Sequence, residues 1–133
     1  MRKTFFTLSV IFFSLLLVQC DTGNKALHRK LSEMAAELNE STPVMLDRYT
    51  RFEEASVTKD NVFRYRYSVL NTSHPDSLVQ QMSQSLVESI RHEFSSNPQL
   101  GTFKENRVVI EYVYQDKDGR VIRILRIEPE DYQ

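Results

Sequence analysis

Between Val62 and Val69 the chain alternates without a break. Phe63, Tyr65, Tyr67 and Val69 fall on one side of an extended strand, and Arg64, Arg66 and Ser68 on the other. Period two with aromatics on one side requires a sheet with one covered face and one solvated face. Two stretches can supply the cover. Leu27, Leu31, Met34, Ala35 and Leu38 recur at helical spacing, separated by His28, Arg29, Lys30, Glu33 and Glu37. Leu78, Met82, Leu86, Ile90 and Phe94 follow in i, i+4 steps, with Gln, Ser, Glu and Arg opposite. The first helix is predicted to end near Asn39, because Pro43 follows in Ser41-Thr42-Pro43 and disfavours helical geometry just before it. The second runs from Pro75 to about Ser95 and is closed by Asn97-Pro98.

Three further stretches read as strands. Arg48 to Val57, around Phe52, is the weakest; Lys59-Asp60-Asn61 turns it into the Phe63 strand. Val108 to Tyr114 is the strongest, and Asp118-Gly119 before Val121–Ile127 marks a hairpin. The expected fold is α+β in the order α-β-β-α-β-β: a four-stranded antiparallel sheet with both amphipathic helices on one face.

The 133 residues suffice for one domain. Its 17 basic residues stand against 18 acidic ones. This balance gives no basic footprint for nucleic acid. Cys20 is the only cysteine, so an intramolecular disulfide and a cysteine-based metal site are both excluded. His28, His74 and His92 are widely spaced and form no metal-ligand pattern, and no cofactor is expected.

The start of the chain carries an address. Met1-Arg2-Lys3 is basic, and Thr4 to Val18 holds no charge. Fifteen helical residues reach about 22 Å, short of the roughly 30 Å of hydrocarbon a permanent anchor crosses. The run has the length of a signal-peptide core. It ends in Leu17-Val18-Gln19-Cys20, which resembles the bacterial lipobox, although Gln19 stands where Gly, Ala or Ser is usual. The alternative is an uncleaved anchor with an incidental cysteine. On the lipoprotein reading residues 1–19 are the signal peptide, Cys20 is the lipidation site, 20–26 form a tether and 27–133 the domain. Loss of Arg2 and Lys3 then leaves 15 basic against 18 acidic residues, a net −3. Several acyl chains on one residue would confine the domain to a membrane surface, each buried CH₂ contributing about 0.8 kcal/mol. Asp21 after the cysteine resembles the inner-membrane retention signal of enteric-type lipoproteins.

Candidate chemistry is sparse. Asp47 and Arg51 could form an exposed anion or peptide contact; alternatively Asp47 and Thr50 shape a turn and Arg51 pairs with a sheet carboxylate. Glu53, Glu54, Glu111 and Glu128 could suggest paired acid–base carboxylates. Cross-strand pairing with Arg64, Arg66, Arg107, Arg123 and Arg126 on a solvated sheet face explains them more simply. Tyr65, Tyr67, Tyr112 and Tyr114 could line a ligand groove or serve as sheet core. No serine lies in G-x-S-x-G.

Glu37-Leu38-Asn39, Thr42-Pro43, Asp47 and Thr50-Arg51-Phe52 resemble a block shared by a family of small exported bacterial proteins of unknown function. Tyr65-Arg66-Tyr67 is similar to that family's Y-x-Y strand, and Tyr112 to Gly119 to its Y-x-Y-x-D-x-x-G hairpin. Glu130-Asp131 is similar to its acidic end. The resemblance implies fold and export, with no activity attached. Relatives commonly carry a cysteine after the second helix and another at the C-terminus; here Ser95 or Ser96 and Tyr132 take those places. Without that bridge the chain forgoes on the order of 2–4 kcal/mol.

These observations lead to a non-enzymatic, membrane-tethered envelope lipoprotein facing the periplasm, with the inner membrane favoured by Asp21. It would bind or support another envelope protein through its Arg- and Glu-rich sheet face. The alternatives are an inhibitor or immunity-type protein, with a protruding loop near Asn71–Asp76, and a periplasmic hydrolase.

Overall fold

The computed structural model describes residues 22–133. The leader and Cys20, with its expected lipidation, lie outside the described residues. Helix α1 covers residues 22–39, starting ahead of Leu27, where its apolar stripe begins. Strands β1 (Val44–Met45), β2 (Thr50–Val57) and β3 (Phe63–Val69) follow. Helix α2 (Pro75–Ser96) leads through a 3-10 turn (Pro98–Leu100) into the short α3 (Gly101–Glu105). Strands β4 (Ile110–Gln115) and β5 (Val121–Ile127) and the terminal α4 (Pro129–Tyr132) complete the order.

The mixed α+β class agrees with the sequence reading, but the sheet differs in two respects. It has five strands in the order β1-β2-β3-β4-β5, not four, because the two residues of β1 pair antiparallel with Phe52 and Arg51 of β2. It is also mixed, since β3 and β4 run parallel, Tyr65 beside Tyr112 and Tyr67 beside Tyr114. The two hairpins are joined side by side through a helical crossover. Helix α2, 22 residues and about 33 Å long, returns the chain to the end of the sheet where β3 began, so β4 starts in the same direction. The short α3 and α4 were not foreseen either, being too brief to show a period.

Both helices pack on one face. Leu31 and Ala35 of α1 and Ile90 and Phe94 of α2 share a core with Phe52, Phe63, Ile110 and Ile127 of the strands. A bulge at Glu53 makes this possible in β2: it shifts the register between Phe52 and Glu54, so Phe52 and Ala55 turn to the same side although three residues apart. The two hairpin loops are built alike. Thr58 N–H donates to the Val62 carbonyl across a loop with Asn61 at φ 60°. Asp116 N–H donates to the Arg120 carbonyl across a loop with Gly119 at φ 83°. A left-handed third residue is what a three-residue hairpin loop needs.

Candidate binding groove

The residues singled out from the sequence divide between the two faces of the sheet. On the open face the arginines and glutamates close on each other. Glu111, its side chain only 12% exposed, takes Arg64 at 2.8 Å and Arg126 at 3.1 Å. Arg126 also reaches Glu128 at 2.6 Å, and Arg66 reaches Glu54 at 2.7 Å. Arg51 pairs with Glu53 at 2.7 Å. Burial raises the Glu53 pKa, but hydrogen bonds from Ser68 and Arg51 outweigh it, and the carboxyl lies below its ordinary value. Val113 is buried on this side, between Arg66 and Ile124. Two arginines expected here lie elsewhere. Arg107 sits in a left-handed turn after α3 and pairs with Glu130. Arg123 stands opposite Tyr114, which turns it to the helix side, where it approaches Ser83 of α2 at 3.5 Å.

Asp47 and Arg51 come out as the structural alternative. One Asp47 carboxylate oxygen accepts the Tyr49 N–H at 2.7 Å and the Thr50 N–H at 2.8 Å, which sets the turn into β2.

The covered face is where the tyrosines meet. Tyr65 stacks on Tyr112 (centroids 5.2 Å apart, planes 16°), Tyr112 on Tyr67 (6.2 Å, 7°) and Tyr67 on Tyr114 (5.2 Å, 21°). The row follows from parallel pairing in register: each β3 tyrosine has a β4 tyrosine beside it, two residues apart along both strands. Burial lifts all four phenols, Tyr65 and Tyr114 to about 12. Glu93 of α2 pushes Tyr112 up further, and Asp47 does the same to Tyr114.

Each end of the row opens into a cavity. Tyr65 and Phe63 floor one of about 670 Å³, walled by Met34 and Leu38 of α1 and by Leu100 and Phe103 of the 3-10 turn and α3. Glu37 and Lys30 stand at its rim. Tyr114 floors the other, about 400 Å³, against Leu78, Met82 and Leu86 of α2. The row thus links two apolar hollows, with carboxylates at Glu37, Glu93 and Asp47 along the way. Such an arrangement buries an apolar segment and holds its polar side at the rim. Leu100 and Phe103 carry no periodic signal in residues 98–105, and Glu93 reads from the sequence only as one of the polar positions of α2.

The histidines do not come together. His28 bonds Asn61 through Nδ1 at 2.9 Å, His74 precedes α2 and His92 lies exposed near its end. Among the described residues no group of three or more His, Cys, Asp or Glu side chains is placed to hold a metal ion. The link before α2 is tied back, with the Asn71 side chain donating to the Arg48 carbonyl at 2.8 Å.

Residues 26–123 match the family described as a domain of unknown function (DUF8479). The chain belongs to that family. Its fold is similar to that of a candidate secreted protein from Pseudomonas aeruginosa, with TM-score 0.69 and 16% identity over 83% of this chain and 96% of that one. It is also similar to the pilotin EpsS of the Vibrio vulnificus type 2 secretion system (TM-score 0.62, 12% identity, 83% and 94% covered). The type II secretion system pilotin AspS of Vibrio cholerae is a third (TM-score 0.61, 14%, 84% and 97%). At these identities the likeness is one of fold. No curated protein matches the chain in sequence.

Proposed function

We propose that this DUF8479 protein is a membrane-tethered lipoprotein of the bacterial envelope, a binding or accessory module with no catalytic role. Its groove holds an apolar segment of another envelope protein. The observation that carries this reading is the row of four stacked tyrosines running between two apolar cavities. A domain that needed only a core would have little use for four hydroxyls along its covered face. The carboxylates of Glu37, Glu93 and Asp47 favour a segment whose polar side carries Lys or Arg. The shared fold with two secretion-system pilotins and a candidate secreted protein supports an envelope setting. The ion-paired open face suits a partner less well, since its charges already satisfy one another.

The tether is read from the lone cysteine ending the apolar leader. Acylated Cys20 would hold the domain within a short reach of a bilayer, with Asp21 favouring the inner membrane. Mass spectrometry of the N-terminus from separated membrane fractions tests this. A diacyl or triacyl mass on Cys20, lost in Cys20→Ala, is expected; an unmodified soluble chain rejects it. The groove is tested by a photoreactive side chain at Leu38, compared with one at Glu128 on the opposite side. A discrete protein adduct from position 38 alone is expected, and equal adducts from both positions reject the groove.

A further inference from the structure

The two edges of the sheet are finished differently. Along β2 the outer edge is sealed: β1 pairs with Phe52 and Arg51, and the Leu46 N–H donates to the Thr50 carbonyl at 2.9 Å. The Asn39 side chain takes both backbone groups of Ala55. Along β5 nothing comparable exists among the described residues. Among the described residues, the backbone of Val121–Ile127 is bonded only through its ladder with β4. Val121 and Ile124 are each about half exposed, at 53% and 52%. A seven-residue edge with free N–H and C=O groups and bare aliphatic side chains is a template for an added strand.

We infer that β5 accepts an extended segment of another protein in which apolar and acidic residues alternate. This goes beyond the groove reading and does not depend on it. Charge selects the occupant. Arg120 is already paired with Asp116 and Asp76, and Arg126 with Glu111 and Glu128, but Arg123 has no carboxylate in ion-pair range among the described residues. An incoming strand adds ladder hydrogen bonds, covers Ile124 with apolar side chains on the open side, and brings carboxylates to Arg123 on the helix side. A second copy of this chain is a poor occupant. Antiparallel β5–β5 pairing would bring the Arg123 of each copy onto the same face of one ribbon, and Val121–Ile127 holds no acidic side chain to meet either of them. A basic strand is refused for the same reason.

The test uses the full domain and a capped seven-residue peptide alternating Val and Glu, with the Val and Lys version as control, followed by amide NMR. The Glu peptide is expected to shift the β5 amides and slow their exchange by roughly tenfold. The Lys peptide should do neither. The exposed substitution Arg123→Glu should reverse the preference while the rest of the spectrum stays folded. Shifts confined to the tyrosine groove, equal effects of both peptides, or a concentration-dependent dimer that protects β5 without peptide would each overturn the inference. The groove reading stands or falls separately on the Leu38 adduct.

Discussion

The side-chain amide of Asn39 behaves as a strand beside Ala55. Its Oδ1 accepts the Ala55 N–H at 2.7 Å and its Nδ2 donates to the Ala55 carbonyl at 2.8 Å. The Glu53 bulge turns Ala55 into the core, and β1 is too short to reach its backbone. The last residue of α1 therefore completes the ladder and locks helix to sheet. Asn39→Ala leaves one buried donor and one buried acceptor unpaired and should lower stability by about 1–3 kcal/mol. Asn39→Asp keeps the acceptor but sets a carboxylate against a carbonyl, so it should not rescue. Urea midpoints together with the exchange rate of the Ala55 amide measure both.

The C-terminus is fastened without a disulfide. Tyr132, 4% exposed, stacks on Phe94 with centroids 4.3 Å apart. Its hydroxyl donates to the Val108 carbonyl at 2.7 Å and lies 3.2 Å from that of Phe103. The ring thus joins the end of α2, the turn after α3 and the tail. Tyr132→Phe should cost about 1 kcal/mol through the lost hydrogen bonds. Tyr132→Ala should cost about 3–5 kcal/mol through the cavity as well. Thermal melts of the two variants, compared with wild type, separate hydroxyl from ring.

Five tyrosines, Tyr65, Tyr67, Tyr112, Tyr114 and Tyr132, are held above the ordinary phenol value, chiefly by burial. A phenol with a raised folded pKa contributes its full stability below the unfolded value near 10 and loses it as pH climbs through the folded value. The domain should therefore weaken between about pH 10 and 12. Ultraviolet titration should show these five ionising together with the loss of near-ultraviolet circular dichroism. Five hydroxyls titrating near pH 10 in a chain that keeps its fold would contradict the buried stack.

On the open face Glu111 serves two arginines from a recessed position. Glu111→Gln leaves Arg64 and Arg126 without their shared anion and should cost about 1–2 kcal/mol. Glu54→Gln, at a side chain 45% exposed, should cost at most about 1 kcal/mol. Added salt should erase the smaller effect first, because exposed pairs are screened more than recessed ones.

Local patterns carried much of this into view. The apolar stripe of α1, the i, i+4 run of α2, the alternation of β3 and the Asp118-Gly119 turn each report the geometry of a few consecutive residues, and each is found where its pattern lies. The groove was legible only as a choice, since four tyrosines at period two could be core or ligand floor. Their stacked row depends on which strand lies beside β3.

The sequence by itself determined which face of β3 is apolar, which helices cover it, and that Cys20 stands alone, because periodicity and composition are properties of near neighbours. The tertiary structure decided that β4 lies parallel to β3, that Asn39 seals one edge while β5 stays open, and that Tyr132 takes up a fastening role. Those outcomes depend on contacts between residues far apart in the chain, and a period of two says which way a side chain points but nothing about what stands next to it.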